Sequence, residues 1–222
     1  MLSTTIQIRG RNVKLKLMSA LAASLLAAAP AFSFTLDFQG AGDYNFIQDY
    51  YNGGTNDAGA SGTNYGVSFG SDALIVTNND DFTYYSNAPS AGVLSAVGAD
   101  AALNVASGFS GDVSFWYSSA EDTTVSVFSG LNGAGTLLAT FALLANANDG
   151  CSDTAYCHWD FKSLNLAGVG QSIQFGSAVG AGFDEVSVSE VPLPAPAAAW
   201  LMLSGLGGLG CLGALSRRRR AV

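Results

Sequence analysis

The sequence predicts an all-β body, an antiparallel β-sandwich of jelly-roll-like type, over residues 32–190 of a 222-residue chain. Three observations predict it. Apolar residues recur with period two, clusters rich in Gly and Asn separate the apolar runs, and no stretch of the body carries the 3.6-residue period of an amphipathic helix. The body also has only one proline, Pro89, and no methionine.

Each element follows from its own residues. Short apolar runs at 34–38, 67–69, 73–77, 103–106 and 137–144 have strand length. In Asp112-Val113-Ser114-Phe115-Trp116-Tyr117-Ser118, Val113, Phe115 and Tyr117 share one face and Trp116 falls on the other. Val125 and Val127 alternate with Ser126, Ile173 and Phe175 flank Gln174, and Val186 and Val188 flank Ser187. Turns are expected at residues 52–57, 130–133 and 146–150, where Gly and Asn tolerate positive φ. A β-solenoid ranks lower, because no repeat of about twenty residues recurs.

Charge is segregated along the chain. The formal charge of −8 sums 17 acids and 9 cations, yet Lys162 is the only cation between residues 17 and 216. All 17 acids lie there too, so the body stands near −16. Such a surface repels phosphate backbones and excludes nucleic acid as a partner.

The flanks read as addresses. Arg9, Arg11, Lys14 and Lys16 precede an uncharged apolar stretch at 17–29 and the small-x-small triplet Ala29-Pro30-Ala31. This is the pattern of a signal peptide over residues 1–31, cut by signal peptidase after Ala31 or, second, after Ser33. The alternative is a retained anchor, but 13 residues reach only about 20 Å of the roughly 30 Å hydrocarbon core. At the other end, the uncharged stretch 195–215 would reach about 32 Å as a helix, and a transmembrane helix is expected over 196–215. Arg217, Arg218, Arg219 and Arg220 follow it as a stop-transfer cluster, which places the body outside the inner membrane. The glycines at 205, 207, 208 and 210 sit inside that apolar span, where helix packing explains them better than a nucleotide loop.

Val191-Pro192-Leu193-Pro194-Ala195, the apolar helix and the arginine cluster together resemble the PEP-CTERM sorting signal in its VPLPA variant. The resemblance covers residues 191–222. Leu193 stands where the commoner Pro-Glu-Pro form has glutamate. The resemblance implies export in a Gram-negative bacterium and recognition by an exosortase, a membrane cysteine transpeptidase. It also implies a final place at the cell surface or in an extracellular matrix rich in exopolysaccharide, as in a biofilm. Pro192, Pro194 and Pro196 keep the segment extended for a protease groove. The plainer alternative is a permanent single-span anchor. The sandwich also resembles the bodies of other PEP-CTERM proteins.

Within the body, Cys151 and Cys157 are the only cysteines, and an oxidising compartment lets them pair as a disulfide beside Trp159. The alternative is a metal site with His158, for which a fourth ligand at zinc spacing is missing. Calcium is the cofactor that Asp80 and Asp81, with Asn78 and Asn79, could take, as could Asp43, Asn45 and Asp49. Asp184 shares strand parity with Val186 and Val188 and so points at the core edge. Resemblance to jelly-roll carbohydrate-binding modules implies a structural calcium there; a hydrogen-bonded turn aspartate is the alternative.

Aromatics in polar sequence form a last group: Tyr44, Tyr50, Tyr51, Tyr65, Tyr84, Tyr85 and Trp116. Flat rings stack on sugar faces while neighbouring Asn and Asp reach hydroxyls, so Trp116, Tyr84, Tyr85, Tyr50 and Tyr51 are glycan-contact candidates. The alternative is that they fill strand faces. Catalysis is not expected: the body has one histidine, no Gly-x-Ser-x-Gly elbow and no phosphate loop. Glu121-Asp122 is an acid pair whose side chains would diverge on a strand. The expectation is glycan contact and adhesion, with a passive matrix component second and a secreted hydrolase third.

Overall fold

A computed structural model describes residues 31–78 and 83–192. Residues 1–30 of the expected signal peptide, Asn79, Asp80, Asp81, Leu193, Pro194, Ala195, the transmembrane segment and Arg217 to Arg220 lie outside the described residues.

Among the described residues ten strands build the body: β1 (Ala31–Leu36), β2 (Asn45–Phe46), β3 (Val67–Phe69), β4 (Ala73–Thr77), β5 (Gly92–Ala96), β6 (Ala102–Ser118), β7 (Thr123–Phe128), β8 (Leu137–Leu143), β9 (Asp160–Gln174) and β10 (Gly182–Pro192). All strand pairs are antiparallel, and the only helical turn among the described residues is a 3₁₀ turn at Leu131–Gly133. No helix there is long and apolar enough to cross a membrane.

The strands form one continuous sheet in the order β2-β4-β5-β10-β6-β9-β7-β8, with β1 on β10 and β3 on β6. It becomes a sandwich because β6 and β9 serve both layers. The second half of β6 pairs with β10 and with the start of β9, from Gly111↔Leu166 to Tyr117↔Asp160. Its first half pairs with β3 and with the end of β9, which continues to β7 and β8. Register shifts between Asn104 and Gly111 mark the crease, and Gly108 and Gly111 meet its positive φ of 80° and 75° without a Cβ penalty.

The layers close over aromatic rings. Phe115 of β6 meets Phe141 of β8 at 4.8 Å between centroids, Phe183 of β10 at 5.6 Å and Phe175 at 6.2 Å. Val113, Val125, Val127, Ile173 and Val188 are fully buried around them, so the predicted alternation of these strands holds. Trp116 falls on the opposite face from Phe115, as the period-two pattern requires, and packs on Phe161 at 5.4 Å.

Parity fails at Asp184. It pairs with Trp116, whereas Ser187 pairs with Ser114, so an extra residue sits between them. Glu185 is that residue, with φ of 46°. The bulge turns Asp184 to the outer face while Val186 and Val188 point inward, which corrects the expectation that all three share a face.

Candidate functional site

The outer face of β4 and β5 is not bare. Val76 and Val93 project from it into a second apolar cluster with Tyr85 and Trp159, flanked by Leu74, Trp116 and Tyr156. Two loops cover this face, one carrying Tyr84 to Ser90 and one carrying Cys151 to Trp159. The disulfide Cys151–Cys157 closes the second loop, as expected from the sequence.

Polar contacts knit the loops together. Ser86 N–H donates to Thr154 Oγ1 at 3.3 Å, and the two hydroxyls lie 3.0 Å apart. Asn87 Nδ2 donates to the Cys157 carbonyl at 3.0 Å and to Asp153 at 3.1 Å. Trp159 Nε1 donates to the Ser86 carbonyl at 3.0 Å. Tyr85 lies beneath, with its hydroxyl 3.0 Å from Ser95 Oγ, and burial raises its phenol pKa. Gly182 permits this approach: a Cβ there would stand 2.5 Å from the Tyr85 ring.

Asp184 anchors the first loop. Ser90 N–H donates to its Oδ2 at 2.6 Å, while Ser90 Oγ lies 2.8 Å and the Glu185 N–H 2.7 Å from Oδ1. The carboxyl is fully buried, and burial pushes its pKa from 3.8 to about 6 although the hydrogen bonds from Ser90 and Glu185 oppose the rise. Protein donors reach both carboxyl oxygens, as the hydrogen-bonded alternative expects. Among the described residues no three His, Cys, Asp or Glu side chains converge to hold a metal. Asp43 accepts from the Thr77 amide and Asp49 from Asn52, each as a loop brace.

Beside the covered cluster a groove remains, of about 350 Å³. Tyr44 and Tyr84, 56% and 40% exposed, line it with Val97 and Val179; Leu74, Val76, Tyr85, Ser95, Ala96 and Gly180 complete its lining. Tyr84 is held between Tyr85 at 4.8 Å and Tyr156 at 5.4 Å, the latter nearly parallel at 27°. An adjoining depression of about 200 Å³ is polar, lined by Ser119, Glu121, Asp122, Thr123, Tyr156 and Ser177. Val179 and Gly180 line both.

Only some predicted aromatics reach this surface. Tyr50 and Tyr51, 7% and 4% exposed, belong to the main core, where their rings meet at 4.7 Å and Tyr51 abuts Phe38 and Phe69. The polar sequence around them is a loop that folds inward, so neither is a glycan contact. Tyr85 is buried as well and supports the groove without presenting a ring face. Tyr84 is on the surface, and Trp116 is half-buried beside Phe161. Val97, Val179 and Gly180 carried no sequence signal, because only the fold brings 179–180 beside β5, through the Gly180 N–H to the Ala96 carbonyl.

No protein-family model matches the sequence, and no curated protein does. Among solved structures, the chain is similar to a family 6 carbohydrate-binding module from Clostridium stercorarium in complex with cellobiose, at 13% identity and a TM-score of 0.33, over 57% of this chain and 93% of that one. It is similar to a family 29 carbohydrate-binding module from Piromyces equi at 12% identity and a TM-score of 0.31, over 72% and 90%. It is also similar to the K3 cleaved adhesin domain of Lys-gingipain from Porphyromonas gingivalis, at 17% identity and a TM-score of 0.26, over 72% and 91%.

Proposed function

We propose that the folded body binds a polysaccharide in the groove between Tyr44 and Tyr84, as an adhesive surface or matrix component and not as a catalyst. The observation that carries this is the pair of exposed tyrosines beside an apolar floor, with Ser95 and Tyr85 among the lining residues. A pyranose presents an apolar face and a rim of hydroxyls, and this mixture of flat rings and sparse polar groups matches it. Support from beneath matters too, since Tyr84 is braced by two rings and its loop is tied to a disulfide-closed neighbour. Such pre-organisation lowers the ordering cost of binding.

The route to the site of action is the one the flanking sequences imply: a signal peptide removed on export, an exosortase acting at residues 191–195, and retention at the cell surface or in an exopolysaccharide matrix. The groove is tested by isothermal titration with soluble glucan, chitin and chitosan oligosaccharides. Tyr84→Ala and Tyr44→Ala should each weaken binding about tenfold, the effect of about 1.4 kcal/mol. Absence of binding to every oligosaccharide by the folded protein would refute the groove and leave a passive structural component.

A further inference from the structure

We infer that Tyr156 is the positioning residue of the groove and that the Cys151–Cys157 disulfide is its lock, so that the sugar site is complete in the oxidised chain and comes apart on reduction while the sandwich stays folded. This rests on the groove reading above and adds its regulation.

The two tyrosines that open the first loop are held by different parts of the molecule. Tyr85 belongs to the sheet. Asn78, just past β4, donates from Nδ2 to the Tyr85 carbonyl at 2.6 Å and accepts the Tyr85 N–H at 3.1 Å, while Ser95 of β5 meets its hydroxyl. Tyr84 is turned to the surface, and the nearly parallel ring that flanks it is Tyr156. Tyr156 comes within reach because it forms an isolated parallel bridge with Tyr85. Thr154 ties that bridge across the loops. Its single hydroxyl proton goes to the Tyr156 carbonyl at 3.0 Å, so the Ser86 hydroxyl, 3.0 Å away, is the donor between them.

Thr154 and Tyr156 both lie inside the ring that the disulfide closes. Residues 151–157 form no helix or strand, and Ser152, Asp153 and Ala155 are exposed. Apolar burial does little to fix their path, and the covalent closure fixes it instead. The main core around Phe115 contains neither cysteine, so the sandwich does not depend on the bond. A dithiol opens it with two electrons: the S–S bond breaks, each cysteine sulfur takes a proton, and the reagent ends as its own disulfide. Thiols stay reduced inside the cell and pair outside it, so the site would form only after export.

The test compares the full chain, in a detergent without sugar head groups, before and after dithiothreitol. Amide exchange is read by NMR, and affinity by titration with cellohexaose and with the hexamers of N-acetylglucosamine and glucosamine. Reduction should speed exchange of the Ser86 amide, which donates to Thr154, by about tenfold or more. The Tyr85 and Ser90 amides, held by Asn78 and Asp184, and those of β6 and β9 should keep their protection. Affinity for each hexamer that binds should fall about tenfold. Tyr156→Ala should show the same loss without reductant, whereas Tyr156→Phe, which keeps the ring, should bind as wild type does. Cys151→Ser with Cys157→Ser should match the reduced chain and ignore the reagent. Cys211→Ser should respond as wild type does, since Cys211 lies outside the ring. Unchanged affinity on reduction or in Tyr156→Ala, or an unchanged Ser86 amide, would overturn the inference while the groove reading stands. Loss of protection throughout β6 and β9 on reduction would overturn it too. Failure of every hexamer to bind the oxidised chain would defeat both readings.

Discussion

Replacing Asp184 by asparagine should change how stability depends on pH. In the native protein the carboxyl is fully buried and its pKa is raised from 3.8 to about 6, first by desolvation. The folded state therefore holds this proton more tightly than the unfolded chain. Its stabilising contribution is complete below about pH 4 and is lost as pH rises through about 6. At about 1.4 kcal/mol per pH unit, the gap from 3.8 to about 6 amounts to about 3 kcal/mol. Hydrogen-bond counting points the same way. Ser90 Oγ has one proton but lies 2.7 Å from the Asp37 carbonyl as well as 2.8 Å from Asp184 Oδ1. A protonated Asp184 can donate to Ser90 Oγ and leave the serine proton for Asp37; an ionised one must compete for it. Urea unfolding of wild type and Asp184→Asn between pH 3.5 and 7.5 measures the effect, and the difference between the two cancels the other carboxylates. Wild type should lose about 3 kcal/mol relative to the variant across that range. A constant difference would refute the reasoning. A difference of opposite sign would mean that the donors around Asp184 outweigh its desolvation.

Further outcomes follow from the same contacts. Cys151→Ser with Cys157→Ser should lower stability by about 2 kcal/mol, the chain-entropy value for so short a loop, and alkylation of the unreduced wild type in denaturant should label Cys211 alone. Gly182→Ala drives a Cβ to 2.5 Å from the Tyr85 ring and should cost about 1–3 kcal/mol, with a matching loss of oligosaccharide affinity, read by denaturation and titration. Phe115→Ala removes the ring shared by Phe141, Phe175 and Phe183 and should cost about 3–5 kcal/mol by urea unfolding. Pro192→Ala with Pro194→Ala should leave the tail attached, which the mass of the exported product reports; an unchanged mass relative to wild type would refute processing there.

The strands were most legible where one face meets the core. Val113, Phe115 and Tyr117, or Val125 and Val127, alternate because the other face is wet or covered only by loops. β5 was missed because both of its faces are buried, so Gly92-Val93-Leu94-Ser95-Ala96 shows no alternation. The first half of β9, from Asp160, was missed because its exposed face leaves mainly Leu164 and Leu166 as apolar signals. Site residues divided similarly. The disulfide and the outward Trp116 followed from spacing and parity, both local properties. Asp184 did not, because a single residue at positive φ reverses parity and the backbone, not composition, decides it. Tyr50 and Tyr51 lie in polar sequence yet are buried, since a loop can fold inward when its peptide groups bond within it, as the Gly62 N–H to the Tyr50 carbonyl does.

β10 gives the body a mechanical axis. Its last residues lie against the first of β1, Pro192 opposite Ala31 and Val191 opposite Phe32, while its first residue lies beneath Tyr85 at the groove. The strand is eleven residues long from end to end, about 33 Å of extended chain. A pull between a tethered tail and a captured polymer would therefore run along β10. The hydrogen bonds to β1, β5 and β6 stand across that line of force and would share it in shear, instead of yielding one at a time as in a peeled strand.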